Sequence, residues 1–171
     1  GQVGIDLADV EVIVVDNGSD VALDERLLEG FVHHQSLRID PAPSSPVRAA
    51  NLGIAQARGE LVGLLIDGAR MLSPGLVAGA VRAARLVEVP VVSALAFHLG
   101  DERHAQAAQH ADVREREDAL LDSVDWRSDG YEVFSVSVMA SSSSRGWFGT
   151  MGESNSLFMR SAEWERLGGL A

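Results

Sequence analysis

Glu11-Val12-Ile13-Val14-Val15-Asp16-Asn17-Gly18-Ser19-Asp20 is the stretch whose reading decides the fold. Val10 to Val15 is short, β-branched and almost continuously apolar, the pattern of a strand buried on both faces beneath helices. It stops at Asp16-Asn17-Gly18-Ser19-Asp20, a cluster of turn formers. Leu23, Leu27 and Leu28 follow at helical spacing, with Gly30 as a stop.

Working outward, Ser36 to Ile39 reads as a second strand, before a loop holding Pro41, Pro43 and Pro46. Val47 to Ala57 carries a helical stripe of Val47, Ala50, Ile54 and Ala57, closed by Gly59. Leu61 to Ile66 is a further buried strand that ends at Asp67-Gly68. Ser73-Pro74 opens a helix to about Val87, and Pro90 to Phe97 is again a strand. This βαβαβαβ order with short connections implies an α/β layered sheet. Beyond Gly100 the pattern loosens. A helix is expected over Glu115 to Leu121, an alternating strand over Tyr131 to Met139, a last strand over Asn155 to Met159 and a short helix over Ala162 to Leu167. No internal repeat and no linker interrupts the order, so one domain is the economical expectation.

Composition narrows the chemistry. The chain has 171 residues, no cysteine and a net charge of −11, and all its cationic side chains except histidine are arginine. Without cysteine there is no disulfide framework and no thiolate zinc site. Without lysine there is no Walker phosphate loop and no Schiff-base catalysis. The acidic balance argues against nucleic acid as a partner, because phosphates would meet net repulsion. No apolar run approaches the ~20 residues of a membrane-spanning helix, and no signal peptide opens the sequence. A cytoplasmic protein, or one peripheral at the membrane, is expected. The five histidines do not follow zinc-ligand spacing, and neither a G-x-S-x-G elbow nor a G-x-G-x-x-G turn is present.

Two strands end in a carboxylate and a glycine-containing turn, at Asp16-Asn17-Gly18-Ser19 and at Asp67-Gly68-Ala69. Ligands of open α/β sheets bind beyond the carboxyl ends of the strands. A carboxylate there accepts from a base or ribose hydroxyl or holds a divalent cation, and glycine lets a ligand approach the backbone. Each carboxylate read alone is equally at home capping a helix or satisfying a turn.

At this point the sequence resembles the family-2 glycosyltransferases of the GT-A fold. The segment 11–20 is similar to their nucleotide-binding segment, Asn51-Leu52-Gly53-Ile54-Ala55-Gln56-Ala57-Arg58-Gly59-Glu60 to the helix that follows, and Asp67-Gly68-Ala69 falls where the family carries its D-x-D triplet. Glu153 to Arg160 and then Leu167-Gly168-Gly169 resemble the strand and G-G turn of the acceptor half. The resemblance covers most of residues 10–100 and 145–170. It implies a three-layer sandwich around a mostly parallel sheet, spanning 1–171 as a single domain that lacks the family's first strand and its C-terminal catalytic segment.

The resemblance also implies an activity. A sugar would pass from a nucleotide-diphosphate donor to a hydroxyl of a glycan, lipid or small-molecule acceptor. Asp16, Gly18, Ser19, Asn51, Asp67 and Gly68 would bind the donor, and Mn²⁺ or Mg²⁺ at Asp67 would neutralise the leaving diphosphate. The triplet lacks its second carboxylate, so His98 beyond the next strand is the candidate second ligand. Glu153 is the candidate base for the acceptor hydroxyl. Glu117-Asp118 reads instead as part of a charged helix face, and Trp147-Phe148 as either a sugar platform or lid packing. The alternative is a non-catalytic module that keeps the fold for nucleotide-sugar binding or assembly.

Overall fold

A computed structural model describes residues 2–66, 71–101, 113–143, 146–149 and 156–171. The protein is a mixed α/β chain with small sheets, mainly antiparallel. Its contacts gather into two compact units. One comprises Leu65–Leu76 and Ser93–Leu157, and the other Gln2–Leu64, Val77–Val92 and Phe158–Ala171.

The second unit holds the segment 11–20. Strand β1 (Glu11–Asp16) pairs in parallel with β2 (His33–Arg38), in a register that sets Glu11 opposite His33 and Asp16 opposite Arg38. Between them the Leu23–Leu28 segment forms only a short 3-10 turn, Glu25–Leu28, capped by the Asp24 carboxylate. Helix α1 (Val47–Gln56) packs on β1, where a Cβ at Gly53 would lie 3.2 Å from Val15 Cγ2. All six residues of β1 are half-buried. The expected strand buried on both faces is therefore not formed, because the sheet here is only two strands wide.

A three-stranded sheet runs in the order β3 (Leu61–Leu65), β7 (Ser156–Arg160), β4 (Val91–Ser93). Ser161 N donates to Glu60 O at 2.9 Å while Gly63 faces the Phe158 ring, so β7 runs antiparallel to β3. Gly63 is required there, since any Cβ would overlap that ring. Helix α2 (Leu76–Ala84) buries Ala78, Ala80 and Ala84, and helix α4 (Ser161–Leu167) buries Trp164. Trp164 is 2% exposed, and its Nε1 donates to Val62 O at 3.2 Å. Arg160 pairs with Glu60 and donates to Ala84 O, tying the start of α4 to the end of α2.

In the other unit β5 (Phe97–Leu99) pairs antiparallel with β6 (Ser137–Met139). The single strand expected over Pro90 to Phe97 is thus two short strands in different sheets. Tyr131 to Val136 is a 3-10 stretch rather than a strand, capped by Asp129. Phe134 packs against Phe97, edge to face at 4.8 Å, and against Tyr131 at 6.3 Å, three residues before it, which is the repeat of a 3-10 stretch. Helix α3 (Val113–Asp122) completes the described elements of this unit. The mostly parallel sheet expected from the resemblance is not what these strands form: β1–β2 is parallel, and β3–β7 and β5–β6 are antiparallel. Among the described residues no helix is long and apolar enough to cross a membrane.

Trp164 combines burial with a hydrogen bond to β3, so its loss is felt across the sheet. Trp164→Phe should lower unfolding free energy by about 1–3 kcal/mol, as the Val62 carbonyl loses its donor. Leu167→Ala on the same helix, at 55% exposure, should change it by less than about 0.5 kcal/mol. Urea unfolding midpoints of the two variants check this.

Candidate functional site

The turn after β1 is built by the Asp16 carboxylate. Its Oδ1 accepts from Ser19 N at 2.8 Å, which folds the chain back on itself. Its Oδ2 accepts from Arg38 Nη1 at 2.6 Å, across the register pair that joins β1 to β2. Arg38 Nη2 donates to Ser19 O at 2.9 Å, and a ring of hydrogen bonds closes. Gly18 sits at φ +83° with Ala42 packed where a side chain would be, so only glycine fits. Asn17 Nδ2 donates to Pro43 O at 3.2 Å and pins the following proline loop to the turn.

Pro43 also borders an open groove of about 530 Å³ along the start of α1, with Ser45, Val47, Arg48, Asn51 and Ala171. Of the expected donor-binding set, Asp16, Gly18 and Ser19 form the turn and Asn51 lines the groove, with the Asn17–Pro43 hydrogen bond as the link between the two. Asn51 holds the chain rather than standing free at the groove. Its Nδ2 donates to Leu170 O at 2.9 Å and its Oδ1 accepts from Leu170 N at 2.8 Å, a clamp spanning 119 positions. Gly169, at φ +86°, leaves room for that amide: a Cβ there would lie 2.5 Å from Asn51 Oδ1.

Asp67, Gly68 and Glu153 lie outside the described residues. His98 is on β5 with its side chain exposed, opposite Val138. Among the described residues no three of His, Asp and Glu converge to form a cation cage. Trp147 and Phe148 lie in a 3-10 turn, with Phe148 fully exposed. Two residues of the site went unread in the sequence, Arg38 and Arg48. Arg38 is identified only by the parallel register, which no local pattern specifies. Arg48 carried a signal, being the cation in the first turn of the helix after the proline loop.

Electrostatically, β1 has a fixed carboxylate at each end. Asp16 is held below its ordinary value chiefly by the Ser19 backbone N–H, with Arg38 adding to it. Glu11 is lowered by the Arg58 backbone N–H first, then by the Arg58 guanidinium, which reaches Oε1 from Nε at 2.8 Å and from Nη2 at 2.7 Å. Compared with profiles of known protein families, with characterised proteins and with solved structures, the chain matches none.

Both carboxylates titrate lower in the folded state than in the unfolded one. The stability they contribute is intact above their ordinary values of 3.8 and 4.5, and it is lost as pH falls through the depressed ones. Urea midpoints measured from neutral into acid pH should fall in that window, and less steeply for Asp16→Asn/Glu11→Gln. Asn51→Ala should cost about 1–3 kcal/mol of stability with or without added nucleotide, as a clamp does, by the same measurement.

Proposed function

We propose that this chain is a GT-A-type glycosyltransferase domain that moves a sugar from a nucleotide-diphosphate donor to an acceptor hydroxyl. The observation that carries the reading is the end of β1. There a parallel strand pair delivers a fixed carboxylate, a glycine turn and Arg38, and Asn17 ties that turn to Pro43 of a groove that Arg48 lines at a helix start. Phosphate-bearing ligands are held at such edges by guanidinium groups and helix N-termini. The Asn51 clamp adds support. It joins the two sequence segments that resemble the family's donor helix and its closing G-G turn.

In this reading the Asp16 turn holds the donor, and the resemblance assigns its diphosphate to Asp67. A carboxylate at Asp67 with the imidazole of His98 is a donor set suited to Mn²⁺ or Mg²⁺ whose coordination is completed by diphosphate oxygens. That cation, when bound, neutralises the departing diphosphate. Glu153 takes the proton from the acceptor hydroxyl as its oxygen attacks the anomeric carbon. The leaving nucleoside diphosphate carries away the bonding electron pair.

A second reading, a non-catalytic binding or assembly module of the same fold, is favoured by one observation. The Asp67-Gly68-Ala69 triplet has a single carboxylate, which weakens its hold on a cation.

A thermal-shift panel of nucleoside diphosphates and their sugar conjugates, with and without Mn²⁺ or Mg²⁺, tests both readings. A bound donor should add ~2.7 kcal/mol of apparent stability at a hundredfold excess over its dissociation constant. Asp67→Ala should remove the metal-dependent part of the shift. Sugar transfer or donor hydrolysis distinguishes the enzyme from the module, and silence across the whole panel removes the enzyme and the nucleotide-sugar-binding module and leaves assembly.

A further inference from the structure

We infer that Arg38 is the group that meets the phosphate of a nucleotide ligand, and that Asp16 acts by holding Arg38 in place. This rests on the donor-site reading and names which part of the donor this corner takes. Of the two paired side chains, Asp16 is 8% exposed and Arg38 is 43% exposed. A ligand arriving at the end of β1 therefore meets the guanidinium first.

The hydrogen bonding says the same. Both Asp16 oxygens already accept, one from Ser19 N and one from Arg38 Nη1. Arg38 spends one further donor on Ser19 O. A guanidinium carries five N–H donors in a rigid plane, so most of them remain after these two bonds have fixed the orientation of that plane. Such a fork matches two oxygens of one phosphate, a geometry a lysine ammonium does not offer. The chain contains no lysine, so a permanently cationic side-chain contact to phosphate falls to arginine. Because Asp16 balances the charge of Arg38, recognition here comes from directed hydrogen bonds more than from net attraction. The carboxylate is thus a positioning residue.

The test is calorimetric titration of UDP, GDP and dTDP, their nucleosides, and inorganic pyrophosphate into the wild-type chain, Arg38→Gln, Arg38→Lys and Asp16→Asn. Circular dichroism melts confirm folding. Arg38→Gln should weaken the bound diphosphate about tenfold while leaving its nucleoside unchanged, as loss of charged hydrogen bonds does. Arg38→Lys should restore part of the loss. Asp16→Asn should weaken the diphosphate severalfold and again spare the nucleoside, which a direct base or ribose contact would not do. Equal loss of nucleoside and diphosphate in Asp16→Asn overturns the inference, as does unchanged binding in Arg38→Gln. Should Asp16→Asn fail to fold, the Arg38 variants decide alone. If the wild-type chain binds no nucleotide, the donor-site reading falls. Pyrophosphate then settles Arg38 separately: binding that Arg38→Gln abolishes keeps Arg38 as a phosphate contact without the nucleotide, and no binding ends the inference.

Discussion

The side-chain amide of Asn51 closes the larger part of this molecule on itself. It gives a donor and an acceptor to the same residue, Leu170, and so fixes the C-terminal segment against α1. A few residues earlier, Trp164 fills the core and donates to β3, while Arg160 reaches Glu60 and the end of α2. The returning segment thus contributes a sheet strand, a core anchor and a clamp within sixteen residues, 156–171. Removing the Trp164 indole leaves the buried Val62 carbonyl without its partner, which costs more than the bond itself contributes. The groove at α1 exists in its present shape because this segment is seated beside it.

Electrostatics follow from the same economy. The chain is strongly acidic, yet the described carboxylates of β1 are each bound by an arginine and by a backbone N–H. These pairs lie at opposite ends of one strand. Glu11 joins β1 to the chain just after α1, and Asp16 joins β1 to β2. The partly buried Glu11 serves architecture. The Asp16 pair does so too, but it leaves its cation facing outward, and a site can be made from that.

Much of the element order was legible. The β-branched run at Val12–Val15, the helical stripe from Val47 and the last strand and helix are strong local patterns, and the structure places elements there. Failures came where alternation was read as a strand. Tyr131 and Phe134 pack together three residues apart, the repeat of a 3-10 stretch, so alternation over these residues does not make them a strand. Pro90 to Phe97 is apolar but for Ser93, yet it divides between two sheets, since an apolar run records burial and not partnership. Of the candidate site, the Asp16 turn was readable as a turn, and Asn51 as a residue of interest. The role of Asn51 as a clamp was not readable, because its partner is more than a hundred residues away.

What the sequence by itself determined is therefore local: where strands and helices begin, which turn needs glycine, and which chemistries a chain without cysteine or lysine excludes. Those properties are set by neighbours a few residues apart, through sterics, periodicity and side-chain type. Only the tertiary structure decided that β7 runs antiparallel to β3, that Asn51 holds Leu170, and that Arg38 stands over Asp16. Strand direction, register and clamp partners are settled by which distant surfaces bury one another and satisfy one another's hydrogen bonds. No short window of sequence contains both halves of such a pair.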